Sequence, residues 1–555
     1  MKEKIVIYQV FTRLFGANSK SPVTNGDAKT NGCGKMGDFT SKALQSIKEL
    51  GATHIWYTGI IEHATQTDYT AYGISKDHPA VVKGKAGSPY AIKDYYDIDP
   101  DLATDVDRRM KEFENLVTRT HKAGLKMIID FVPNHVARQY HSDAKPEGVA
   151  DLGANDDTNM NFSPSNNFYY VGGQAFTPHF SLADADGNAY VEMPAKATGN
   201  DKFCCDPDSN DWYETVKLNY GIDYCDAGGR SEHFSPIPDT WGKMTDILLF
   251  WAAKGVDGFR CDMAEMVPAA FWNWATDKVK FAHPEVIFIG EVYDPNQYRN
   301  YVGAGFDYLY DKVGMYDCLC DIIKGFRPAA DITRQWQQTD DIRQHMLYFM
   351  ENHDEVRLAS DFLAGDAQKA FPAVAVSALL ADNPMMVYAG QEFGERGMDC
   401  EGYSGRDGRT TIFDYWCVDS LRRGFYDRRR LTKPEKSLNS QYERLLRLVN
   451  SEAALREGAS FDLMYVNPQL AQSQFAFLRK AEQQLVLVVA NFDRNATTCQ
   501  VVMPQHAFDF MQLPEKQVVA LDLFTDKQTD VCLERNTAIK VEVDGYGVAL
   551  LKMDL

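Results

Sequence analysis

The chain has 555 residues, a formal net charge of −20, 45% hydrophobic residues and 25% charged residues. That length exceeds a single hydrophobic core and fits roughly two or three domains, and the composition is that of a soluble globular enzyme, not a disordered or fibrous chain. The acidic balance argues against a nucleic-acid partner: phosphate backbones need a positive footprint, and the densest basic run, Arg428-Arg429-Arg430, reads as a solvated helix face. A neutral substrate such as a sugar suits this charge.

In chain order, short apolar runs alternate with longer helical patterns. The runs are Ile5 to Val10, His54 to Tyr57, Met127 to Phe131, Val256 to Arg260, Val286 to Gly290, a weaker Phe306 to Tyr310, Met346 to Met350 and Met385 to Tyr388. Amphipathic segments such as Asp105 to Ala123 and Trp241 to Lys254 lie between them. Eight such units predict an α/β fold, a closed (β/α)8 TIM barrel of parallel strands, whose strands are buried on both faces and read as near-continuous hydrophobic runs. The rhythm breaks after Asn134-His135, where a long stretch rich in Asp, Asn, Gly and aromatics, including Gly153 to Asp157 and Asn166 to Tyr170, reads as a loop-rich insertion after the third strand. From about Phe461 alternating strands predict a C-terminal antiparallel β-sandwich: Phe475 to Leu478, Leu485 to Ala490, Cys499 to Met503, Val518 to Phe524, Ile539 to Val543 and Gly547 to Lys552. The expected division is barrel over 1–135 and 226–457, insertion over 136–225 and sandwich over 458–555.

No apolar stretch approaches the roughly 18 residues of a membrane span, so no membrane is expected. MKEKIVIYQVFTRLF reads as a first strand and not a signal peptide, because Gln9 and Arg13 interrupt its apolar part. Eleven dispersed cysteines favour a reduced cytoplasmic setting over a disulfide framework, with a mature secreted form as the alternative.

Three apolar runs end in carboxylates: Asp262, Glu291 and Asp354. In a parallel barrel, catalytic groups sit at C-terminal strand ends, so these acids can converge on one pocket. Residues two apart share a strand face, which turns Arg260 and Asp262 into the barrel and Phe259 and Cys261 outward. The guanidinium is expected to lower the Asp262 pKa and keep it ionised for nucleophilic attack, although a structural ion pair explains the spacing as well. An apolar strand rim next to another carboxylate is expected to raise the Glu291 pKa, as suits a general acid, although a satisfied polar residue at a strand end explains it as well, and Asp354 also reads as a helix N-cap. An ionised carboxylate and a protonated carboxyl flanking a bond are the equipment of retaining glycoside hydrolysis, with a third acid free to stabilise an oxocarbenium-like transition state.

The strings DFVPNH (Asp130 to His135), GFRCD (Gly258 to Asp262), GEVYD (Gly290 to Asp294) and ENHDEVR (Glu351 to Arg357), in that order, resemble the four signature regions of the α-amylase family of glycoside hydrolases. SPYAIKDYYDIDPDLA (Ser88 to Ala103) is similar to the family's stretch after the second strand. The resemblance implies Asp262 as nucleophile, Glu291 as acid/base and Asp354 as the residue that stabilises the transition state. It further implies that Arg260, His135 and His353 bind at the cleaved sugar, with Tyr90 as a stacking platform. Asn134 matches a position that in many members ligates a structural Ca²⁺, with partners expected around Asn219 to Asp226; the chemistry itself requires no cofactor.

Glu265 and Met266 stand where starch-cleaving members commonly have Lys-His, and the run DMAEMV resembles the neopullulanase and maltogenic-amylase branch. Asp407 and Arg409, in the loop after the eighth strand, are candidates to grip a sugar further from the cut. The expected activity is retaining hydrolysis of α-1,4 links in malto-oligosaccharides or starch-like α-glucans. A glucanotransferase would use the same three acids, since water and a sugar hydroxyl compete for one intermediate. A silent carbohydrate-binding relative would be expected to have lost acids that are all present. A metal-dependent hydrolase needs ligand spacing such as His-x-His or His-Glu-x-x-His, which none of the twelve histidines forms.

Overall fold

The computed structural model describes residues 3–555. Eight parallel strands close into a barrel: β1 (Val6–Phe11), β2 (His54–Thr58), β3 (Lys126–Phe131), β4 (Gly258–Cys261), β5 (Ile287–Gly290), β6 (Tyr308–Tyr310), β7 (Met346–Phe349) and β8 (Met385–Tyr388). Their order around the barrel is sequential, with β1 pairing both β2 and β8. Each expected strand forms, because these runs are buried on both faces. The β6 signal was weak for a visible reason: only three residues pair there.

Helices such as Arg109–Lys122, Asp239–Ala253 and Ala269–Ala282 cover the outside. Phe131 and Phe259 lie edge to face, and Phe131 also meets Trp272 of the last of these helices, so the odd face of β4 packs outward as expected. In the β3–β4–β5 register Arg260 lies level with Asp130 and Ile289, which turns Arg260 into the barrel beside the acids of neighbouring strands. Arg428–Arg430 is one exposed 3-10 turn, not a helix face. No helix among the described residues is long and apolar enough to cross a membrane.

After β3 the chain leaves the barrel along His135–Ala137, which pairs antiparallel with Thr215–Lys217, so the excursion begins and ends on adjacent strands. Between them the regular structure is sparse, with Tyr170–Val171 pairing Ala195–Lys196. A small core of Phe176, Tyr190, Ala195 and Tyr213 organises it. Asn and Asp side chains do much of the remaining work: Asn167 donates to Thr240, and its oxygen accepts from the Gly153 amide and from Lys243. Side-chain-to-backbone bonds of this kind replace ladders where no strand forms.

The C-terminal part carries β9 (Ala459–Asp462), β10 (Gln474–Ala481), β11 (Gln484–Asn491), β12 (Thr497–Met503), β13 (Lys516–Asp522), β14 (Gln528–Leu533), β15 (Thr537–Val543) and β16 (Val548–Asp554). Six of them form one antiparallel sheet in the order β9-β10-β11-β16-β13-β14, and β12 pairs with β15 in a second layer. All six expected strands are present. The two unexpected ones are β9 and the edge strand β14, whose first three residues are exposed and polar.

Candidate active site

The ends of β3, β4, β5 and β7 bring Asp130, Asp262, Glu291 and Asp354 around one buried guanidinium. Arg260 Nη1 donates to Asp262 Oδ1 at 2.7 Å and lies 3.7 Å from Asp130 Oδ1, while Nη2 forms an ion pair with Glu291 Oε2 at 2.7 Å. Arg260 is completely buried and its cation lies 5.3 to 5.6 Å from the ring centres of Trp56, Tyr90 and Tyr310. Asp262, Glu291, Asp354, Tyr90 and His135 all line one cavity of about 280 Å³, whose other walls include Trp212, Tyr293 and Phe413. A larger surface hollow of about 760 Å³, bordered by Lys20, Arg396 and Asp419, contains none of the acids.

The charge balance corrects one expectation. Burial pushes the Asp262 carboxyl well above the usual carboxylate range; Arg260 pulls it down, but Glu291 and Asp354 push it up again. The lowering expected from Arg260 is therefore present and outweighed, by burial first and then by the neighbouring acids. Glu291 is hydrogen-bonded on both oxygens: Oε1 accepts from the Tyr293 hydroxyl at 2.6 Å, and Oε2 accepts from the Met263 amide at 2.8 Å. Met263, next to Asp262 in the chain, has a left-handed φ of 42°. A non-glycine residue holds that conformation at a cost of about 1–3 kcal/mol; here it aims an amide at Glu291.

Asp354 is not a helix cap. Its side chain is 37% exposed, with one oxygen 3.0 Å from His353 Nε2, and its amide is held by the Asn352 oxygen. Burial acts to raise its pKa, yet His353, Arg260 and Arg409 bring it below the usual value. Gln9 Nε2 lies 2.7 Å from His353 Nδ1. The amide donates there, leaving the proton on Nε2 facing Asp354 and the Tyr90 hydroxyl, with which it makes a short contact. Tyr90 also reaches Asp130, whose other oxygen accepts from the Trp56 indole and the Gly59 amide.

His135 is buried, and its pKa is pushed down to about 3 by burial first, then by Lys217 and Lys83, which leaves a neutral imidazole against Trp212. Asp407 and Arg409 lie beside the cavity, next to Asp354. Arg409 donates to the Asp354 carbonyl at 2.6 Å and pairs with Asp407, both half-exposed, and neither lines the cavity. Glu265 accepts from the Tyr293 and Asp294 amides, tying the loop after β4 to the loop after β5.

Sequence reasoning overlooked Gln9, Asp130, Trp212 and Tyr293. Tyr293 was findable by the same two-residue spacing that paired Arg260 with Asp262. Asp130 sits in the first signature string, and Gln9 interrupts an apolar strand.

The residues at Asn134 do not fit Ca²⁺. Its Oδ1 accepts from the Lys217 ammonium at 2.6 Å, and the same ammonium pairs with Asp201 at 2.6 Å. Farther along, Asn219 is spent on the Ser163 and Asn166 carbonyls and the Gly221 amide. A separate buried group of Glu62, Asp94 and Asp97 is close enough to share a cation, but Asp97 is committed to Arg109 and Asp94 to Ser142.

The chain is similar in sequence and in fold to known proteins. The family model described as "Alpha amylase, catalytic domain" matches residues 9–218 and 237–460. "Alpha-amylase 3" of Dictyoglomus thermophilum is 24% identical over 521 residues, covering 89% of this chain and 85% of its own. Among solved structures, an α-amylase from H.orenii superposes with a TM-score of 0.66 at 20% identity over 100% of both chains. A maltogenic α-amylase, AmyB, from Thermotoga neapolitana superposes with 0.62 at 21% identity, covering 100% of this chain and 99% of its own. At those identities the structural likeness speaks for the fold.

Proposed function

This chain belongs to the α-amylase family of glycoside hydrolases, and from that premise we propose that it cleaves α-1,4 links in malto-oligosaccharides or related α-glucans with retention, through a covalent intermediate on Asp262. The observation that carries the proposal is the shared guanidinium: Asp262 and Glu291 hang on the two ends of Arg260 at 2.7 Å each, with Asp354 on the same cavity wall. Retaining pairs of carboxyl groups stand about 5–5.5 Å apart and inverting pairs farther, to admit a water; two acids held by one guanidinium support the retaining reading.

In the first step an Asp262 oxygen bonds to the anomeric carbon while the glycosidic bond breaks and Glu291 gives its proton to the departing oxygen. In the second, Glu291 takes a proton from water, the water oxygen bonds to the same carbon, and the ester to Asp262 breaks. Asp354, held ionised by His353, Arg260 and Arg409, faces the positive charge that develops on the sugar in both steps. Tyr90 and Trp212 supply apolar faces to sugar C–H groups, and neutral His135 supplies a hydrogen bond without a competing charge.

Incubation with a 5-fluoro glycosyl fluoride, then proteolysis and mass spectrometry, tests the mechanism. The label is expected on the peptide carrying Asp262 and absent from Asp262→Asn. A label on another acid overturns the assignment.

A further inference from the structure

Asn134 is fully buried at the end of β3, and its amide has one chemically acceptable orientation. Its oxygen faces the Lys217 ammonium at 2.6 Å, and its nitrogen donates to the Gly199 carbonyl at 2.8 Å and lies 3.2 Å from His135 Nδ1. Turned over, the amide would set N–H against an ammonium and oxygen against a carbonyl. Lys217 stands directly opposite His135 in the antiparallel pair that roots the insertion, with its side chain only 2% exposed. The residue that neutralises it, Asp201, adopts a left-handed φ of 63°, a strained conformation that places a carboxylate 2.6 Å from the ammonium. The ring of Tyr224 lies 5.9 Å from the same cation.

We propose that Lys217 is a built-in cation occupying the place where a Ca²⁺ would join barrel and insertion, and that through the Asn134 amide it fixes the tautomer of His135. The ammonium holds the Asn134 oxygen, so the amide nitrogen faces His135 Nδ1 and makes that nitrogen the acceptor. The ring proton is left on Nε2, and the ring, which also bonds to the Tyr90 backbone, is held in one orientation on the cavity wall. Lys217 is thus a positioning residue, bonded to no substrate itself. The cation assignment stands on geometry alone; the effect on substrate rests on the reading of the cavity as a sugar site.

The test has two independent parts. Melting of the wild-type protein is followed after EDTA treatment and again with added calcium chloride, alongside calorimetric titration with Ca²⁺. An unchanged Tm and no binding heat are expected; a Tm that falls on chelation and returns with Ca²⁺ overturns the built-in cation. Separately, Lys217→Met is expected to lower Tm, unrestored by Ca²⁺, and to raise KM for maltoheptaose several-fold. Asn134→Asp keeps the ion pair but removes the donor facing His135, so it is expected to raise KM comparably while losing less Tm. Folded variants with wild-type KM overturn the positioning role, and inactivity of the wild type on every α-glucan fails the sugar reading while leaving the calcium result standing.

Discussion

Two buried cations, Arg260 at the end of β4 and Lys217 at the root of the insertion, are surrounded in opposite ways. Lys217 meets one carboxylate and one amide oxygen, so its charge is balanced within its own contacts. Arg260 meets Asp262 and Glu291 directly, has Asp130 at 3.7 Å and Asp354 among the acids near it, so negative charge is in excess. Excess charge in a buried place is a cost to folding unless something else uses it, and a site that must meet a cationic transition state uses it. The balanced cation holds a joint; the overdrawn one marks the chemistry.

Asp262→Asn should separate the two most sharply. Turnover is expected to fall by at least about a thousandfold, while Tm holds or rises, because the substitution relieves the surplus negative charge. A matching loss of Tm would make Asp262 a structural residue like Asp201. Arg260→Met leaves the acids without their counterion and is expected to cost about 3–5 kcal/mol in denaturant unfolding, as removal of one member of a buried ion pair does. Tyr293→Phe removes the 2.6 Å bond to Glu291 and should lower kcat/KM about tenfold with little change in Tm.

The smallest expected effect is on pH dependence. A carboxyl whose pKa is raised loses its charge earlier on acidification, so the acidic limb of kcat/KM should lie above the ordinary Asp value of about 4. It reflects Asp262, raised first by burial and then by neighbouring acids. With an activated aryl glycoside, which needs no proton donor, Glu291→Gln should move that limb down by roughly a unit. A limb that stays in place would mean that Glu291 does not act on Asp262.

How much of this was legible from the sequence follows from where the signals live. The barrel strands announce themselves because burial on both faces demands continuous apolar runs, and β4, β5 and β7 lead straight to the three acids. The edge strand β14 does not, since its solvent side is polar. The insertion gave only its presence: its order comes from Asn and Asp side chains bonding to distant backbone, which has no period to read. Asp262, Glu291, Asp354, Arg260, His135, His353 and Tyr90 do gather at one site, and Arg409, paired with Asp407, holds the Asp354 carbonyl. Lys217 was illegible as a cation site because its partner Asn134 is 83 residues away, and only the folded register sets Lys217 opposite His135.

The central claim is that two acids on one guanidinium perform a double displacement, and the most direct measurement is the anomeric configuration of the first product. Proton NMR of maltoheptaose cleavage, recorded before mutarotation, should show new reducing ends in the α configuration. Products that first appear as β would contradict the covalent intermediate on Asp262.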